Sequence, residues 1–326
     1  MQLLQAIALL AAATTATAAS CPCTAKTPPF TPGELSADQF TPTTKRRYRV
    51  HLPKSYQQST KTPVIFSYHG AGGTIEKQVK LDGFTDLFRN DRYIVVYLQA
   101  ATPNGTDKAQ WQVAPEARDI DDLGFTSDVL QILGDKVCLD KRRVYAAGKS
   151  QGGGFVGQKL ACDKGLSKKF AAFAPVSGAY YILDQTKKTC EPTADVPIPC
   201  DTERTDTPIL AFHGGADPTI PYRGIYRSGT RSCLPDIRHW VREWAFRDGL
   251  KGTQDNSTIQ GSQNGVKSAW KDERVTLFYD GDNIPHDWPS LVENSDNAGG
   301  PTAAFNASDI ILPWFERWSL PLCLST

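Results

Sequence analysis

Seven short apolar runs alternate with five stretches of helical periodicity, and this alternation limits the fold more than any other feature of the chain. The runs lie at residues 48–52, 64–68, 94–98, 144–147, 170–176, 209–212 and 275–279, and the helical patterns at 77–89, 123–137, 153–161, 237–246 and 310–318. Strands joined by crossover helices pair in parallel, and a parallel sheet has to be covered on both faces. The chain is therefore read as an α/β protein with a mostly parallel central sheet and helices on both faces. In such sheets ligands sit at the carboxyl ends of the strands, so the residues that follow each run carry the functional information. Residues 24–44, rich in Thr and Pro, read as an extended N-terminal arm. Residues 191–207, rich in Pro, Thr and Asp and bracketed by Cys190 and Cys200, read as a stapled surface loop.

Residues 3–13 form an apolar run too short to span a bilayer, followed by small residues in which Ala16-Thr17-Ala18 fits a small-x-small cleavage site. Residues 1–18 are thus expected to be a secretory signal peptide and 19–326 a single domain. No later stretch is apolar for long enough to cross a membrane, so no membrane partner is expected. Thirty-six Lys plus Arg against thirty-five Asp plus Glu leave a formal charge of +1, which offers no net field for nucleic acid.

The eight cysteines, Cys21, Cys23, Cys138, Cys162, Cys190, Cys200, Cys233 and Cys323, suggest four disulfides in a secreted chain. A strand ending near Gly148 and the helix that returns from it have similar reach, so Cys138 and Cys162 are expected to meet at the bottom of the sheet. Cys190 with Cys200 would close the Pro-rich loop, leaving Cys21 and Cys23 to pair with Cys233 and Cys323 in either order. Cys21-Pro22-Cys23 lacks the C-x-x-C or paired histidines of a structural zinc site, so no metal is expected. Asn104, Asn256 and Asn306 stand in N-x-S/T sequons and are candidate glycan acceptors.

The chemistry concentrates after the run at 144–147, in Gly148-Lys149-Ser150-Gln151-Gly152 followed by Gly153, Gly154 and a helical pattern. This is G-x-S-x-G in a strand-turn-helix context, where small flanking residues let neighbouring backbone pass close to a serine on a strained turn. A serine hydroxyl needs a base to take its proton and an acid to orient that base. Asp217 follows the run at 209–212 in His213-Gly214-Gly215-Ala216-Asp217, and His286 follows the run at 275–279 in Asp280-Gly281-Asp282-Asn283-Ile284-Pro285-His286-Asp287-Trp288-Pro289. The order Ser150, Asp217, His286 is that of the α/β-hydrolases. Asp280 and Asp282 are the alternative acids, while Asp121 and Asp122 precede the serine and break the order. His51 and His239 read as packing or surface residues, and His213 as a structural turn residue. The oxyanion of a tetrahedral intermediate needs two N–H donors. One is expected from Gln151, and the second from Ala71, with Gly72 next, in His69-Gly70-Ala71-Gly72-Gly73. Trp111 and Trp288 are candidates for an aromatic substrate cleft, with packing as the competing role.

Together, His69-Gly70-Ala71-Gly72-Gly73, Gly148 to Gly157, His213 to Asp217 and Pro285-His286-Asp287-Trp288-Pro289 resemble the secreted fungal feruloyl esterases, whose wider group includes polyhydroxybutyrate depolymerases and some acetyl xylan esterases. The resemblance implies an α/β-hydrolase catalytic domain that cleaves ferulate and related esters on plant cell-wall polysaccharide, without metal or organic cofactor. A tannase-like group of feruloyl esterases carries cysteines beside the catalytic serine and histidine; Lys149 and Asp287 occupy those positions here, which disfavours that group. The competing expectations are an acetyl xylan esterase, a polyhydroxyalkanoate depolymerase and, from a different class, an inactive carbohydrate-binding module on a hydrolase fold.

Overall fold

A computed structural model describes Cys23 and residues 27–252 and 254–321. The expected signal peptide at 1–18, Cys21 and Cys323 lie outside the described residues. The strands are β1 (Gln39–Phe40), β2 (Arg47–His51), β3 (Thr62–Tyr68), β4 (Ile94–Leu98), β5 (Leu139–Lys149), β6 (Ala172–Val176), β7 (Ile209–His213), β8 (Ile225–Arg227), β9 (Ser232–Leu234), β10 (Asp255–Thr258), β11 (Val266–Trp270) and β12 (Val275–Tyr279). The helices are α1 (Ile75–Asp82), α2 (Asp122–Lys136), α3 (Gln151–Gly154, continued by a π-helical stretch over Phe155–Leu160), α4 (Lys187–Cys190), α5 (Ile237–Arg247) and α6 (Ala307–Glu316).

Ten strands form one sheet in the order β1-β2-β4-β3-β5-β6-β7-β12-β11-β10, and β8 and β9 form a separate ribbon. From β4 to β12 all neighbours run parallel. Both flanks are antiparallel. The chain has the α/β-hydrolase fold. The parallel strands are legible as apolar runs because β3, β4, β6 and β7 are buried along their whole length. Alternate side chains serve opposite faces. Val64, Phe66 and Tyr68 pack with Phe125, Val129 and Leu133 of α2 and Trp240 and Trp244 of α5. Ile65, Val95 and Tyr97 pack on the other face with Ile75 of α1 and Ile311 and Phe315 of α6.

Two expectations about extent shift. The helix expected over 77–89 begins at Ile75 and ends at Asp82, because Gly83 takes a left-handed conformation (φ 58°) and its N–H closes on the Val79 carbonyl. The Thr/Pro-rich segment runs alongside β2: Gly33 N–H donates to Leu52 O, Ser36 N–H to Val50 O, and β1 pairs with β2. Among the described residues no helix is long and apolar enough to cross a membrane.

The disulfides differ from expectation. Cys138 bonds Cys23 rather than Cys162, Cys162 bonds Cys200, and Cys190 bonds Cys233 rather than Cys200. The strand before the serine starts at Leu139, not Val144, and its first residues are absorbed in an irregularity against β3. Cys138 therefore sits next to Tyr56, whose hydroxyl accepts its N–H, away from the end of α3. The Pro-rich loop is stapled at both ends, to α3 through Cys200 and to β9 through Cys190, instead of to itself. Cys162–Cys200 links positions 38 residues apart. Replacing both by serine should lower the unfolding free energy by about 3–4 kcal/mol in denaturant titrations.

Candidate active site

Ser150 stands where β5 turns into α3, with φ 56° and ψ −118°, a conformation rarely adopted by a residue with a side chain. Backbone bonds over-determine it: Ser150 N–H donates to Val176 O at 2.9 Å, and its carbonyl accepts from the N–H groups of Gly154 (2.8 Å) and Ala179 (2.9 Å). The flanking glycines are required by contact. A Cβ on Gly152 would lie 2.3 Å from Tyr68 O, and one on Gly148 would lie 2.6 Å from the Gly152 carbonyl carbon. The end of β3, the end of β5 and the start of α3 thus converge on one point.

Asp217 and His286, sixty-nine residues apart, meet through a 2.6 Å hydrogen bond between Nδ1 and Oδ2. Their loops are joined by Ala216 N–H to Ile284 O and Gly215 N–H to Gly281 O. Asp217 Oδ1 accepts the N–H groups of Thr219 and Ile220, both at 2.8 Å, so the carboxylate cannot rotate freely. Burial opposes its ionisation, yet the bonds from His213 and His286 prevail and hold the carboxyl well below the usual carboxylate range. Burial and then the charge of Lys149 lower the His286 pKa from its ordinary value, against the pull of Asp217. The imidazole is therefore neutral at neutral pH, with Nδ1 donating to Asp217 and Nε2 left as the acceptor.

The structure does not bring the alternative acids to His286. Asp280 is fully buried, with neither carboxylate oxygen hydrogen-bonded among the described residues, and burial and Asp287 hold its pKa far above normal. Asp282 accepts from Asn264 and the Tyr279 hydroxyl. Asp121 caps α2 and Asp122 pairs with Arg46.

The loop carrying Ala71 passes over the serine turn: a Cβ on Gly70 would lie 3.3 Å from the Ser150 Cβ. Gly72 N–H is committed to Ala109 O at 2.7 Å and Gly73 N–H to Gly70 O at 3.0 Å. The N–H groups of Ala71 and Gln151 meet no backbone acceptor among the described residues. His69 fastens the loop. Its Nδ1 lies 2.7 Å from Gly70 O while Nε2 accepts the Ala100 N–H, and burial, reinforced by Arg47 and Arg46, pushes its pKa down to about 4.

The other histidines are structural in their contacts. His213 bonds Ile220 O at 2.7 Å and lies 3.2 Å from Asp217, and His239 bonds Val196 O. Both candidate cleft tryptophans are packed away. Trp111 donates to His69 O and stacks on Phe155, and Trp288 donates to the Ser308 hydroxyl against Phe84. Asn104 and Asn256 are exposed, whereas the Asn306 amide donates to Asp309.

A strained serine at a strand-helix turn, a histidine held by a buried carboxylate and two open N–H groups are the parts from which serine hydrolases are built. The comparisons point to ester hydrolases. No family model matches the chain. Feruloyl esterase B of Piromyces equi is 27% identical over 215 residues, which are 65% of this chain and 37% of that protein. Feruloyl esterase D of Neurospora crassa is 30% identical over 141 residues, 41% of this chain and 46% of the relative. The matches thus span under half the length of these two curated relatives. Among solved structures, an acetyl xylan esterase from Aspergillus awamori superposes with a TM-score of 0.59 at 14% identity, over 87% of this chain and 99% of its own. The chain thus has the α/β-hydrolase fold and is similar in sequence to feruloyl esterases.

Proposed function

We propose that this chain is a secreted serine esterase acting on feruloyl esters of plant cell-wall polysaccharide. The observation that carries the reading is the His286–Asp217 hydrogen bond in a loop tied to the strained Ser150 turn by the neighbouring Lys149, whose ammonium donates to the His286 carbonyl. His286 Nε2 takes the Ser150 proton as Oγ attacks the ester carbonyl. Asp217 holds the imidazole in that tautomer and stabilises the imidazolium. The N–H groups of Gln151 and Ala71 receive the oxyanion; Gly72 is already bonded elsewhere. His286 then protonates the departing sugar oxygen, and a water activated by the same imidazole releases the acid. Protein groups handle every proton and charge in this cycle, so it requires neither metal nor organic cofactor.

The homologues favour a hydroxycinnamoyl group as the acyl part, since both sequence relatives described above are named feruloyl esterases. Secretion agrees with the apolar N-terminus and the disulfides, and glycans at Asn104 and Asn256 fit their exposure. Residues 19–326 would constitute one catalytic domain. The test is product release from feruloylated arabinoxylan and acetylated xylan, followed by chromatography. Ferulate as the main product supports the reading; acetate alone keeps the mechanism but assigns an acetyl esterase.

The pH profile follows from the imidazole. Its pKa is lowered from 6.5, so the base form persists as pH falls past the ordinary imidazole range. The acid limb of kcat/KM should lie below pH 6.5, measured on an ester whose own hydrolysis is flat there; a limb above that value would contradict the burial argument.

A further inference from the structure

We propose that Lys149, the residue immediately before the nucleophile, is a positioning residue that ties the His286 loop to the serine turn through Asp296. This rests on the Ser150–His286–Asp217 assignment. The Lys149 side chain is 6% exposed, unusual for a lysine, and points from the end of β5 into the loop that follows β12. Its ammonium donates to Asp296 Oδ2 at 2.7 Å and to the His286 carbonyl at 3.2 Å. Asp296 Oδ2 also accepts the Trp288 N–H at 3.1 Å. One charge therefore holds the chain on both sides of Asp287, immediately after His286.

The loop from 286 to 297 is also held by bonds to the segment that opens α6, where Ser290 and Leu291 meet Asn306 and the Ala303 and Ala307 N–H groups donate to Ser290 O and Pro289 O, and by bonds within itself. Asn294 donates to Trp288 O, Asn297 accepts the Asn294 N–H and donates to Asp287, and Asn294 Oδ1 accepts the Asp296 N–H. Ser177 fastens it to β6 by donating to Asp287 O, and Lys149 fastens it to β5, the strand that carries the nucleophile. The lysine stem also underlies the oxyanion loop, since a Cβ on Gly70 would lie 3.8 Å from its Cγ. A displacement of about 1 Å between reacting groups can cost about 100-fold in rate, so a buried tie between the two loops is a kinetic element.

The ammonium also acts electrostatically. His213 at the end of β7, Asp217 in the loop after it and Lys149 at the end of β5 act on the imidazole; Asp287 interacts in turn with Lys149, Asp296 and Asp217, and Asp280 with Asp287. Asp287, pushed up to about 7 by burial, is largely protonated at the acid limb, so it adds little negative charge there. A fixed positive charge beside the imidazole disfavours imidazolium; removing it raises the histidine pKa and moves the acid limb of activity to higher pH.

The experiment follows fluorophosphonate inactivation rates, together with kcat and KM on 4-nitrophenyl acetate, across pH for wild type, Lys149→Met and Asp296→Asn, with melting temperatures recorded. Lys149→Met should lower kcat and the inactivation rate by about 10- to 100-fold, leave KM within about twofold and shift the acid limb upward. Asp296→Asn should lower kcat without the upward shift, because the ammonium stays. Wild-type kcat and acid limb in Lys149→Met would overturn the proposal, as would equal acid limbs in the two variants. If Lys149→Met does not fold, wild-type kcat in Asp296→Asn overturns it alone. A wild type that resists the probe would instead overturn the Ser150 assignment itself.

Discussion

Replacing Ser150 by alanine is expected to lower kcat/KM on 4-nitrophenyl acetate by about 10⁴- to 10⁶-fold while the fold persists. The hydroxyl is the atom that bonds the acyl group, and the oxyanion donors and the imidazole cannot substitute for it. The bonds that hold the turn, to Val176 O and from Gly154 and Ala179, are all backbone and survive the change. Ser150→Gly should be equally inactive but more stable. At φ 56° a side chain costs about 1–3 kcal/mol that glycine does not, so denaturant unfolding should show a gain within that range, reduced by glycine's larger unfolded-state entropy. Activity loss coupled to a stability gain is the mark of a residue strained for chemistry. Equal losses of both would mean that the serine serves the fold.

Asp217→Asn should cost about 10³- to 10⁴-fold in kcat, through the tautomer of His286 rather than through charge alone. The N–H groups of Thr219 and Ile220 donate to Oδ1, so the amide of an asparagine must keep its oxygen there and turn its NH₂ toward His286. A donor then faces Nδ1, which becomes the acceptor, and the ring proton moves to Nε2. In that tautomer the imidazole cannot accept the serine proton. Asp217→Ala, which imposes no tautomer, should be no less active than Asp217→Asn. An asparagine variant within tenfold of wild type would place the acid elsewhere, with Asp280, the buried alternative among the candidate acids, the first to test.

The parts of the molecule legible in the sequence are those where one local rule operates. Strands buried on both faces must be apolar throughout, so β3, β4, β6 and β7 stand out, and the residues after β5, β7 and β12 can be read as strand-end chemistry. Strands at the margin of the sheet escape that rule. β10 is DNST and fully exposed, and β11 is VKSAW, so neither looks like a strand until its partner is known. The same holds for β5, whose first half, LDKRR, hides its length and with it the position of Cys138. Disulfide partners depend on where chain ends meet in space, and spacing does not encode that. Lys149 fills the free position of G-x-S-x-G, where the motif makes no demand, and its partner lies 147 residues on in a loop without periodicity. The ion pair appears only in three dimensions.

The most direct test of the account is to map the covalent adduct. After brief treatment with a fluorophosphonate and tryptic digestion, the label should sit on the peptide from Ser150 to Lys159, which contains a single serine. Stoichiometric labelling of that peptide, in step with loss of esterase activity, is the predicted result. An active enzyme left unlabelled there, or inactivated by modification of another serine, would contradict the central claim.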